Sequence, residues 1–563
     1  MFIDARKLER GTVLQADVCI VGGGVAGIAL ALEFERRKIS AVLLESGGHT
    51  SDPPTRDLYR GENVGVPYTF ADGCRGRFLG GSSNCWGGWC GPLREHDMQA
   101  RDWVRDSGWP FGRDELWPYY ERAHAYLNLG PLDYDIERWV RAIGRGDVRR
   151  IPLPSGRVHD IVSQFSAPSR MGAAHRRELE TATHVRTVLY ANANEIETDA
   201  GGENVRRVQI KTLSGNVLTA EAKVFVLACG GIENARLLLA SDRVHRGGLG
   251  NAHDLVGRYF ADHPRLALGS VRFKPGWQRN KLYDIKFHYL NRAVSSKGTY
   301  LSAQFTLDPE VQKREGLLNA QLWFASVFPG EGTDAAEALI RTKQRLHGKG
   351  DPAFSFAGDL ARMAASPIDV SSFIAARLLQ PAALIKDVKI EIVCEPTPNP
   401  DSRVTLAEEC DSLGMRRVRV NWQLDDQVKH TFDRTLAIFA DELRSAGVAE
   451  VDLPAAIGNG PLPEVQPYPW HHLGTWHHMG TTRMHASPRK GVVDAHGAMH
   501  GVSNLFVAGS SVFPSYGANF PTITIAALSF RLADHIGRLL QVPPGPPSST
   551  AVAPRLDAVV QGH

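Results

Sequence analysis

The stretch ADVCIVGGGVAGIALALEFERRKISAVLLESGG, residues 16 to 48, decides the fold of this chain. An apolar run ends at Val21, a glycine-rich turn follows, and an alanine- and leucine-rich segment comes next. Gly22, Gly24 and Gly27 have GxGxxG spacing: the first permits a tight turn, the second lets backbone approach a pyrophosphate, and the third lets helix pack on strand. The stretch therefore predicts strand, turn, helix and strand, with phosphate at the helix N-terminus.

An acidic residue completes this pattern. Glu45 ends the predicted second strand eighteen residues after Gly27, where a carboxylate accepts hydrogen bonds from the ribose hydroxyls of an adenosine. Because FAD and NAD share the motif, the choice of dinucleotide depends on the rest of the chain. We expect an α/β domain of Rossmann type around this unit.

A second glycine-rich segment, RGRFLGGSSNCWGGWCG at residues 75 to 91, is too elaborate for a simple connection. Gly80 and Gly81 allow backbone to lie against a flat ring system. Ser82, Ser83 and Asn84 offer hydrogen bonds to the polar edge of such a ring. The loop is therefore predicted to contact the ring of a bound cofactor.

Two further segments have the strand, small-residue turn and helix of a nucleotide-binding fold: residues 222 to 241 and residues 504 to 540. In the second segment we select Gly509, Ser510 and Thr522 as cofactor-binding residues. The cofactor domain is thus predicted to draw on both ends of the chain, from residues 1–100, 181–264 and 480–542. Residues 101–180 form a predicted connecting region, and the Pro-rich residues 543–563 a disordered tail.

Residues 265–479 are predicted to form the substrate-binding domain. They contain five strand-like runs, typical of an antiparallel sheet: VRFKPGW, KLYDIKFHYL, NAQLWFASVF, DVKIEIVCE and RVRVNWQL. Residues 332–381 between them are expected to form two or three helices as a packed insertion. The predicted fold class is therefore α/β, with an α+β substrate part.

Composition excludes several classes of protein. The 563 residues are 43% apolar and 22% charged, with a net charge of +3. A net charge this small provides no strong electrostatic attraction to nucleic acid or to an anionic membrane. No apolar run approaches the ~18 residues of a membrane span, and the N-terminus lacks a secretory h-region. The seven cysteines lack metal-type spacing, so we expect reduced thiols and a cytoplasmic protein.

Six blocks together resemble the glucose-methanol-choline family of FAD-dependent oxidoreductases. They are the GxGxxG unit with Glu45, RFLGGSSNCWGG, VLACGGIENARLLLAS, PNPDSRVTL, HHMGTTRM and VAGSSVFPSYGANFPT. Within the family, residues 101 to 123 are similar to the bacterial branch that includes pyranose oxidases and glucoside 3-dehydrogenases. The resemblance implies FAD as the cofactor.

The resemblance also implies a catalytic pair. Members of the family carry HxxGT before the last strand, and a second His or an Asn about forty residues later. Two copies are present here, HHLGT at residues 471 to 475 and HHMGT at residues 477 to 481. Only the second is followed by TRM with the family spacing, so the resemblance assigns the base to His477 and its partner to Asn519. His471 and His472 are expected to pack nearby or line the rim of the site.

The chemistry of these side chains suits alcohol oxidation. A neutral imidazole accepts a hydroxyl proton near pH 7 at little cost while the adjacent carbon gives up a hydride. An amide orients the hydroxyl without titrating. The four histidines lack a nearby Asp, Glu or Cys, so no metal site is predicted. Asp262 and His263 are interpreted as part of a turn before Pro264.

Cys85 departs from the family pattern. Some pyranose oxidases attach FAD through a histidine in this loop, and this chain has cysteine at the matching position. A small thiol that only packs is the more common use of cysteine. We therefore predict FAD that is bound without a covalent link, with Cys85 among its contacts.

The sequence thus predicts an oxidoreductase that converts a CH–OH group of a sugar, glycoside or related polyol to a carbonyl. The substrate is a small molecule, and the electron acceptor is oxygen, a quinone or a redox protein. Alternatives are a lyase of the same fold with redox-idle FAD, a flavoprotein without turnover, and an enzyme acting on a non-sugar alcohol. Tryptophans 86, 89, 323, 470 and 476 would suit stacking on sugar rings.

Overall fold

The computed structural model describes residues 1–67, 74–166, 169–277, 280–286, 294–296, 299–346, 355–379, 384–458, 460–462 and 473–541. The predicted tail at 543–563 and the first histidine pair, His471 and His472, lie outside these ranges. In the described part of the chain the strands form four sheets.

In chain order the strands are β1 (Phe2–Asp4), β2 (Val13–Val21), β3 (Ala41–Leu44), β4 (Gly61–Asn63), β5 (Trp89–Cys90), β6 (Val158–Phe165), β7 (Val185–Leu189), β8 (Asn192–Thr198), β9 (Val205–Lys211), β10 (Val217–Leu227), β11 (Arg265–Leu268), β12 (Ser270–Phe273), β13 (Val294–Ser296), β14 (Thr299–Leu307), β15 (Ala320–Val327), β16 (Asp387–Cys394), β17 (Arg403–Cys410), β18 (Arg416–Asn421), β19 (Ala449–Asp452) and β20 (Leu505–Val507).

The helices are α1 (Val25–Arg36), α2 (Pro53–Asp57), α3 (Glu95–Met98), α4 (Arg113–Tyr126), α5 (Ile136–Ile143), α6 (Met171–Ala174), α7 (Arg176–Thr181), α8 (Gly230–Ala240), α9 (Pro309–Glu315), α10 (Asp334–Leu346), α11 (Phe356–Ala365), α12 (Pro367–Leu379), α13 (Asp426–Ser445) and α14 (Thr522–Leu539).

The first sheet has eight strands in the order β1-β7-β3-β2-β10-β9-β8, with β20 also paired to β10. β1, β7, β3, β2, β10 and β20 run parallel, whereas β9 and β8 are antiparallel additions. All four residues of β3 are buried, as expected of a parallel strand that is covered on both faces. This sheet confirms the predicted Rossmann-type α/β architecture, with strands from both ends of the chain.

Close packing of α1 on this sheet depends on a glycine. A Cβ atom at Gly27 would lie only 1.8 Å from the carbonyl oxygen of Gly22, so no larger residue fits between helix and turn. The first turn of α1 therefore stays close to the carboxyl end of β2. Strands β2 and β3 flank it in parallel, with Val18 paired to Ala41.

The second sheet is antiparallel, with seven strands in the order β11-β16-β15-β14-β6-β5 and β13 paired to β14. It confirms the predicted antiparallel sheet, in which two of the five predicted runs form β15 and β16. The run at 281–290 is not a regular strand in its described part, 281–286. Two other runs lie in separate sheets: β12, from VRFKPGW, pairs with β19, and β18, from RVRVNWQL, pairs with β17 and β4. Strands β14 and β6 were not predicted, although β14 lies at the centre of the sheet.

Helices α10, α11 and α12 form the predicted helical insertion. The last helix, α14, packs against α1 and α4. The hydroxyl of Tyr126 on α4 donates to the carbonyl of Val25 at 2.9 Å, and Arg37 and Arg122 both pair with Asp534 on α14. None of the helices in the described ranges is long and apolar enough to cross a membrane.

Candidate active site

A cavity of about 1770 Å³ lies at the carboxyl ends of the parallel strands, where doubly wound sheets bind their ligands. Its floor includes Val21, Leu44 and Ala228, at or just beyond the ends of β2, β3 and β10. The antiparallel sheet forms the opposite side. Small-molecule pockets usually measure about 300–1,000 Å³, so this cavity has room for a large cofactor together with a substrate.

Most of the sequence-predicted site residues meet in this cavity. The lining includes Gly22, Gly24, Glu45, Gly81, Ser82, Ser83, Asn84, Cys85, His477, Gly509, Ser510 and Thr522. The predicted residues outside the lining are Gly27, Gly80 and Asn519. Segments from near both ends of the chain, at residues 22–45, 81–85, 477 and 509–522, therefore share one space.

Glu45 lies at the dinucleotide-binding end of the cavity. Its carboxylate accepts hydrogen bonds from the backbone N–H groups of Gly23 at 2.9 Å and Gly47 at 2.8 Å. Burial raises the pKa of Glu45, and the two N–H donors act in the opposite direction. The hydroxyl of Ser46 also donates to Oε1 at 3.3 Å, so Oε2, which accepts from Gly23, keeps a second lone pair for a hydroxyl group of a ligand.

Arginines beside Glu45 were missed by the sequence analysis. Arg75 and Arg77 line the cavity and both contact the buried carboxylate of Glu233, at 2.9 and 3.1 Å. Arg236 joins the same carboxylate at 3.3 Å. Burial by itself raises the pKa of Glu233, but the three guanidinium groups outweigh it and hold the pKa at about 2. Arg75 and Arg77 stand close together in RGRFLGG, which was the available signal.

These features fit FAD. The glycine turn, the N-terminus of α1 and the cavity arginines suit a pyrophosphate, and Glu45 suits a ribose. The N-terminal end of α14, with Pro521, Thr522 and Ile525, also faces the cavity and would stabilise negative charge there by about 0.3–2 kcal/mol.

The loop at residues 80–85 packs directly on the dinucleotide turn. The N–H of Gly80 donates to the carbonyl of Gly23 at 2.8 Å, and a Cβ atom at Gly81 would lie 2.9 Å from the Cα atom of Gly24. Two predicted ring contacts are made within the protein instead. Ser83 donates to the carbonyl of Gly80 at 2.6 Å, and Asn84 donates to the carbonyls of Leu79 and Gly81.

In this arrangement the N–H and O–H donors of Asn84 and Ser83 are used within the protein. Ser and Asn side chains satisfy nearby backbone groups in tight turns, and Ser83 also accepts from the N–H of Met171 at 3.0 Å. Both residues thus shape the loop. Ser82 is exposed at the cavity.

His477 lines the cavity, and one of its two ring nitrogens is within hydrogen-bond distance of other protein groups. Its Nδ1 lies 2.9 Å from the hydroxyl of Thr475 and 3.0 Å from Nδ1 of His263. Among the described residues, no group is within hydrogen-bond distance of its Nε2. Burial lowers the pKa of His477 well below 6.5, and electrostatic interactions with His263, His478 and Arg265 lower it further. The imidazole is therefore neutral at pH 7.

Asp262 and His263 are hydrogen-bonded neighbours of His477, which corrects their interpretation as a simple turn. Both are fully buried. The carboxylate of Asp262 accepts from the N–H of His477 at 2.8 Å and from that of Trp476 at 2.7 Å. The available signal in the sequence was a pair of titratable residues within the otherwise apolar run YFADHP.

His478, the other described histidine of the two HHxGT copies, also lines the cavity. Its ring lies 5.8 Å from that of Phe260. Burial lowers its pKa to about 3, with a contribution from Arg75. In the ranges that the structure describes, no three His, Cys, Asp or Glu side chains are placed to hold a metal ion.

Asn519 is buried against the protein. Its amide nitrogen donates to the carbonyl of Pro92 at 2.9 Å and to the carboxylate of Asp97 at 3.1 Å. Its Oδ1 accepts from the amide of Gln321. Because both N–H groups are in use, only Oδ1 could accept a hydrogen bond from a ligand. The predicted role in orienting a hydroxyl stays a prediction.

Aromatic rings form one wall of the cavity. Trp89 lies 4.5 Å from both Phe165 and Phe520 and 5.5 Å from Trp323, measured between ring centroids. All four residues line the cavity, as do Trp86 and Trp476, whereas Trp470 lies outside the described residues. Arg265 is the charged residue beside this wall; it pairs with Glu391 and lies over the Trp323 ring.

Residues 398–529 match the model of a family described as GMC oxidoreductase. Two curated relatives match over most of both chains. The 6'''-hydroxyparomomycin C oxidase of Streptomyces lividus is 24% identical over 94% of this chain and 93% of its own. The 2-methyl-1,2-propanediol dehydrogenase of Mycolicibacterium austroafricanum is 25% identical over 93% of this chain and 95% of its own.

A solved structure has the same fold. The crystal structure of pyridoxine 4-oxidase from Mesorbium loti superposes with a TM-score of 0.54 at 17% sequence identity. The match covers 93% of this chain and 99% of that one. At this level of identity, the likeness extends to the fold alone.

Proposed function

Since this chain is a member of the GMC oxidoreductase family, we propose that it oxidises the CH–OH group of a sugar, glycoside or related polyol to a carbonyl, with FAD as cofactor. The observation that carries the proposal is the environment of His477. Its Nδ1 is anchored by protein groups while the ring lines the cavity, so Nε2 is the nitrogen left for a substrate.

The chemistry needs one proton acceptor and one hydride acceptor. The substrate hydroxyl gives its proton to Nε2 of His477, and the C–O bond becomes a carbonyl as the adjacent carbon gives up a hydride. FAD, when bound, supplies the hydride acceptor and passes two electrons on to oxygen, a quinone or a redox protein. A neutral buried imidazole is suited to its step because it accepts the proton without a prior deprotonation.

Asn519 has a supporting role in this proposal. It ties the segment before α14 to Asp97 and Pro92, which holds the N-terminal end of that helix against the cavity. Its Oδ1 is the atom that would accept a hydrogen bond from a substrate hydroxyl if Gln321 released it. Phe520, which follows Asn519 in the chain, has its ring 5.7 Å from that of His477.

The substrate class is supported by the aromatic wall. Faces of Trp and Phe rings stack on the apolar faces of sugars, and the paired Arg265 and Glu391 offer a donor and an acceptor at its edge. The names of both curated relatives state an alcohol, a hydroxyparomomycin and a propanediol. One relative is named an oxidase and the other a dehydrogenase. Because these names differ, the electron acceptor of this protein has to be identified by experiment.

An anaerobic spectrum tests the proposal. The FAD-loaded protein is mixed without oxygen with neutral sugars, glycosides, polyols and simple alcohols, one at a time. We expect the yellow absorbance of the flavin to bleach with at least one sugar, glycoside or polyol, and to return on adding oxygen or a dye acceptor. Bleaching only with simple alcohols would contradict the substrate class. Turnover of a substrate without bleaching would indicate a lyase.

We also propose that FAD is held without a covalent bond. Cys85 is exposed and lines the cavity, so the buried thiol on which the prediction was based is not found. The glycine turn, Glu45 and the cavity arginines can nevertheless hold FAD without a bond to this thiol. The thiol form of all seven cysteines supports a reducing compartment such as the cytoplasm. Precipitating the protein in acid is expected to leave the yellow colour in the supernatant, for the native protein and for Cys85→Ser alike. Colour that stays on the native pellet but leaves the Cys85→Ser pellet would show a thioether instead.

A further inference from the structure

We infer that Asp262, Thr475 and His263 act together as positioning residues that hold His477 in the tautomer with its proton on Nδ1, so that the Nε2 lone pair faces the substrate. The inference rests on the proposed function, because it assigns to three further side chains the task of preparing the proposed base. None of the three is expected to touch the substrate.

The direction of the hydrogen bonds follows from Asp262. The hydroxyl of Thr475 lies 2.9 Å from Oδ1 of Asp262, 3.3 Å from the carbonyl of His263 and 2.9 Å from Nδ1 of His477. A carboxylate is the stronger acceptor, and it cannot donate. The single hydroxyl proton of Thr475 therefore goes to Asp262, and its oxygen must accept the proton on Nδ1 of His477. A neutral imidazole with its proton on Nδ1 has its lone pair on Nε2.

His263 completes this arrangement. Its Nδ1 lies 3.0 Å from Nδ1 of His477, and the two rings are nearly perpendicular, at 86°. Only one proton fits between two such nitrogens. Nε2 of His263 is buried without a hydrogen-bond partner among the described residues. Burial lowers the pKa of this imidazole, while nearby backbone groups of Tyr516 and Gly517 act to raise it. With its own proton on Nε2, His263 can accept from His477 and contribute a second acceptor to the same proton.

The backbone turn next to His477 also helps to hold the imidazole in place. Trp476 has φ of +64°, a left-handed conformation that is uncommon for a bulky residue and persists only where the surroundings enforce it. Asp262 enforces it, because its carboxylate accepts from the N–H groups of Thr475, Trp476 and His477. One buried carboxylate thus fixes both the strained turn and, through Thr475, the proton of the imidazole.

The groups around His477 determine how stable its protonated form, the imidazolium, is. Three groups oppose the imidazolium: His263, His478 and Arg265. Glu391 neutralises part of the charge of Arg265. The negative charge of Asp262, which reaches Nδ1–H through the Thr475 hydroxyl, acts in favour. Removing the Thr475 hydroxyl is therefore expected to weaken the base and to lower its pKa.

Thr475→Val tests the inference, with Thr475→Ser as the rescue. The rate of anaerobic flavin reduction at saturating substrate is expected to fall about 10- to 100-fold in Thr475→Val, on the loss of one hydrogen bond to a charged group. The dissociation constant of the substrate is expected to stay within about threefold. The acid limb of the pH profile should move to lower pH, and Thr475→Ser should restore both rate and profile.

Thr435→Val is the matched control. Thr435 is a fully buried residue on α13, and its hydroxyl has no partner among the described residues. The same substitution there is expected to leave the reduction rate unchanged. If Thr475→Val also keeps the native rate and pH profile, while His477→Ala does not, the inference is wrong and the proposed base stands. If His477→Ala itself reduces at the native rate, the proposed base is wrong.

A second measurement does not depend on turnover or on a stable Thr475→Val variant. Nitrogen-15 NMR of the FAD-loaded protein, labelled at histidine, distinguishes a protonated ring nitrogen from one with a lone pair. The His477 signals are identified by their loss in His477→Gln. We expect a protonated Nδ1 and an unprotonated Nε2 at neutral pH. The opposite pattern would overturn the inference.

Discussion

His477→Ala is expected to slow anaerobic flavin reduction by roughly 10²–10⁴-fold, the usual contribution of a general base. FAD should remain bound, because the dinucleotide-binding groups at Glu45 and the glycine turn lie on other segments of the cavity. The rate is measured by stopped-flow absorbance at saturating substrate. Substrate affinity is expected to change much less than the rate, since the proton transfer occurs only as the reaction proceeds.

The pH dependence gives an independent check. A base works in its neutral form, and burial lowers the pKa of His477 well below 6.5. The native reduction rate should therefore be constant through neutral pH and fall only in distinctly acidic solution, and His477→Ala should lose this limb. His430→Ala, a substitution at an exposed position of α13, is the control and should match the native protein. If His477→Ala reduced the flavin at the native rate, the catalytic base would instead be His478 or one of His471 and His472.

Glu233→Gln is expected to destabilise the fold by about 3–5 kcal/mol, the usual effect of removing one partner from a buried ion cluster. Glutamine keeps the shape, but Arg75, Arg77 and Arg236 lose their shared negative charge. Arg236 retains another carboxylate, that of Asp411 at 2.7 Å. The change is measured as the apparent melting temperature of FAD-free protein, which should fall by roughly 3–4 °C for a chain of this length.

The pH dependence of stability tests the same cluster. The folded-state pKa of Glu233 is about 2, against 4.5 for the ordinary side chain. Its ionised form therefore stabilises the fold fully above pH 4.5, by about 3 kcal/mol, and this contribution is lost as the pH falls from 4.5 toward 2. Glu233→Gln should lack that loss. Glu137→Gln, which breaks an exposed ion pair with Arg150, should change stability by at most about 1 kcal/mol; an equal effect of both variants would contradict the interpretation.

The cofactor-binding half of the fold was predictable because local sequence and chemistry coincide there. Gly27 must be glycine for the helix to pack, and Glu45 must end the second strand, so spacing alone identifies the unit. The roles of Gly509 and Thr522 at the cavity required the resemblance as well, since a small-residue turn before a helix is common. The domain limits themselves remain predictions.

The interior of the site was less accessible to sequence reasoning. Asp262 and His477 are separated by 215 residues, and no local pattern reports such a contact. Ser83 and Asn84 look like ligand donors in the sequence, yet the turn uses them for its own backbone. Strand β14 was missed because all but two of its residues are buried, so it lacks the alternation of polar and apolar residues that identifies a strand exposed on one face.

The pairing of β20 with β10 has a consequence for biosynthesis. About 280 residues separate the end of β10 from β20, and at roughly 5–20 residues per second a ribosome needs about 14–55 s to translate them. During this interval Phe225, Val226 and Leu227 of the nascent sheet present an open hydrogen-bonding edge. Because Gly509, Ser510 and Thr522 follow β20 and line the cavity, the cavity is complete only after this late part of the chain has been translated.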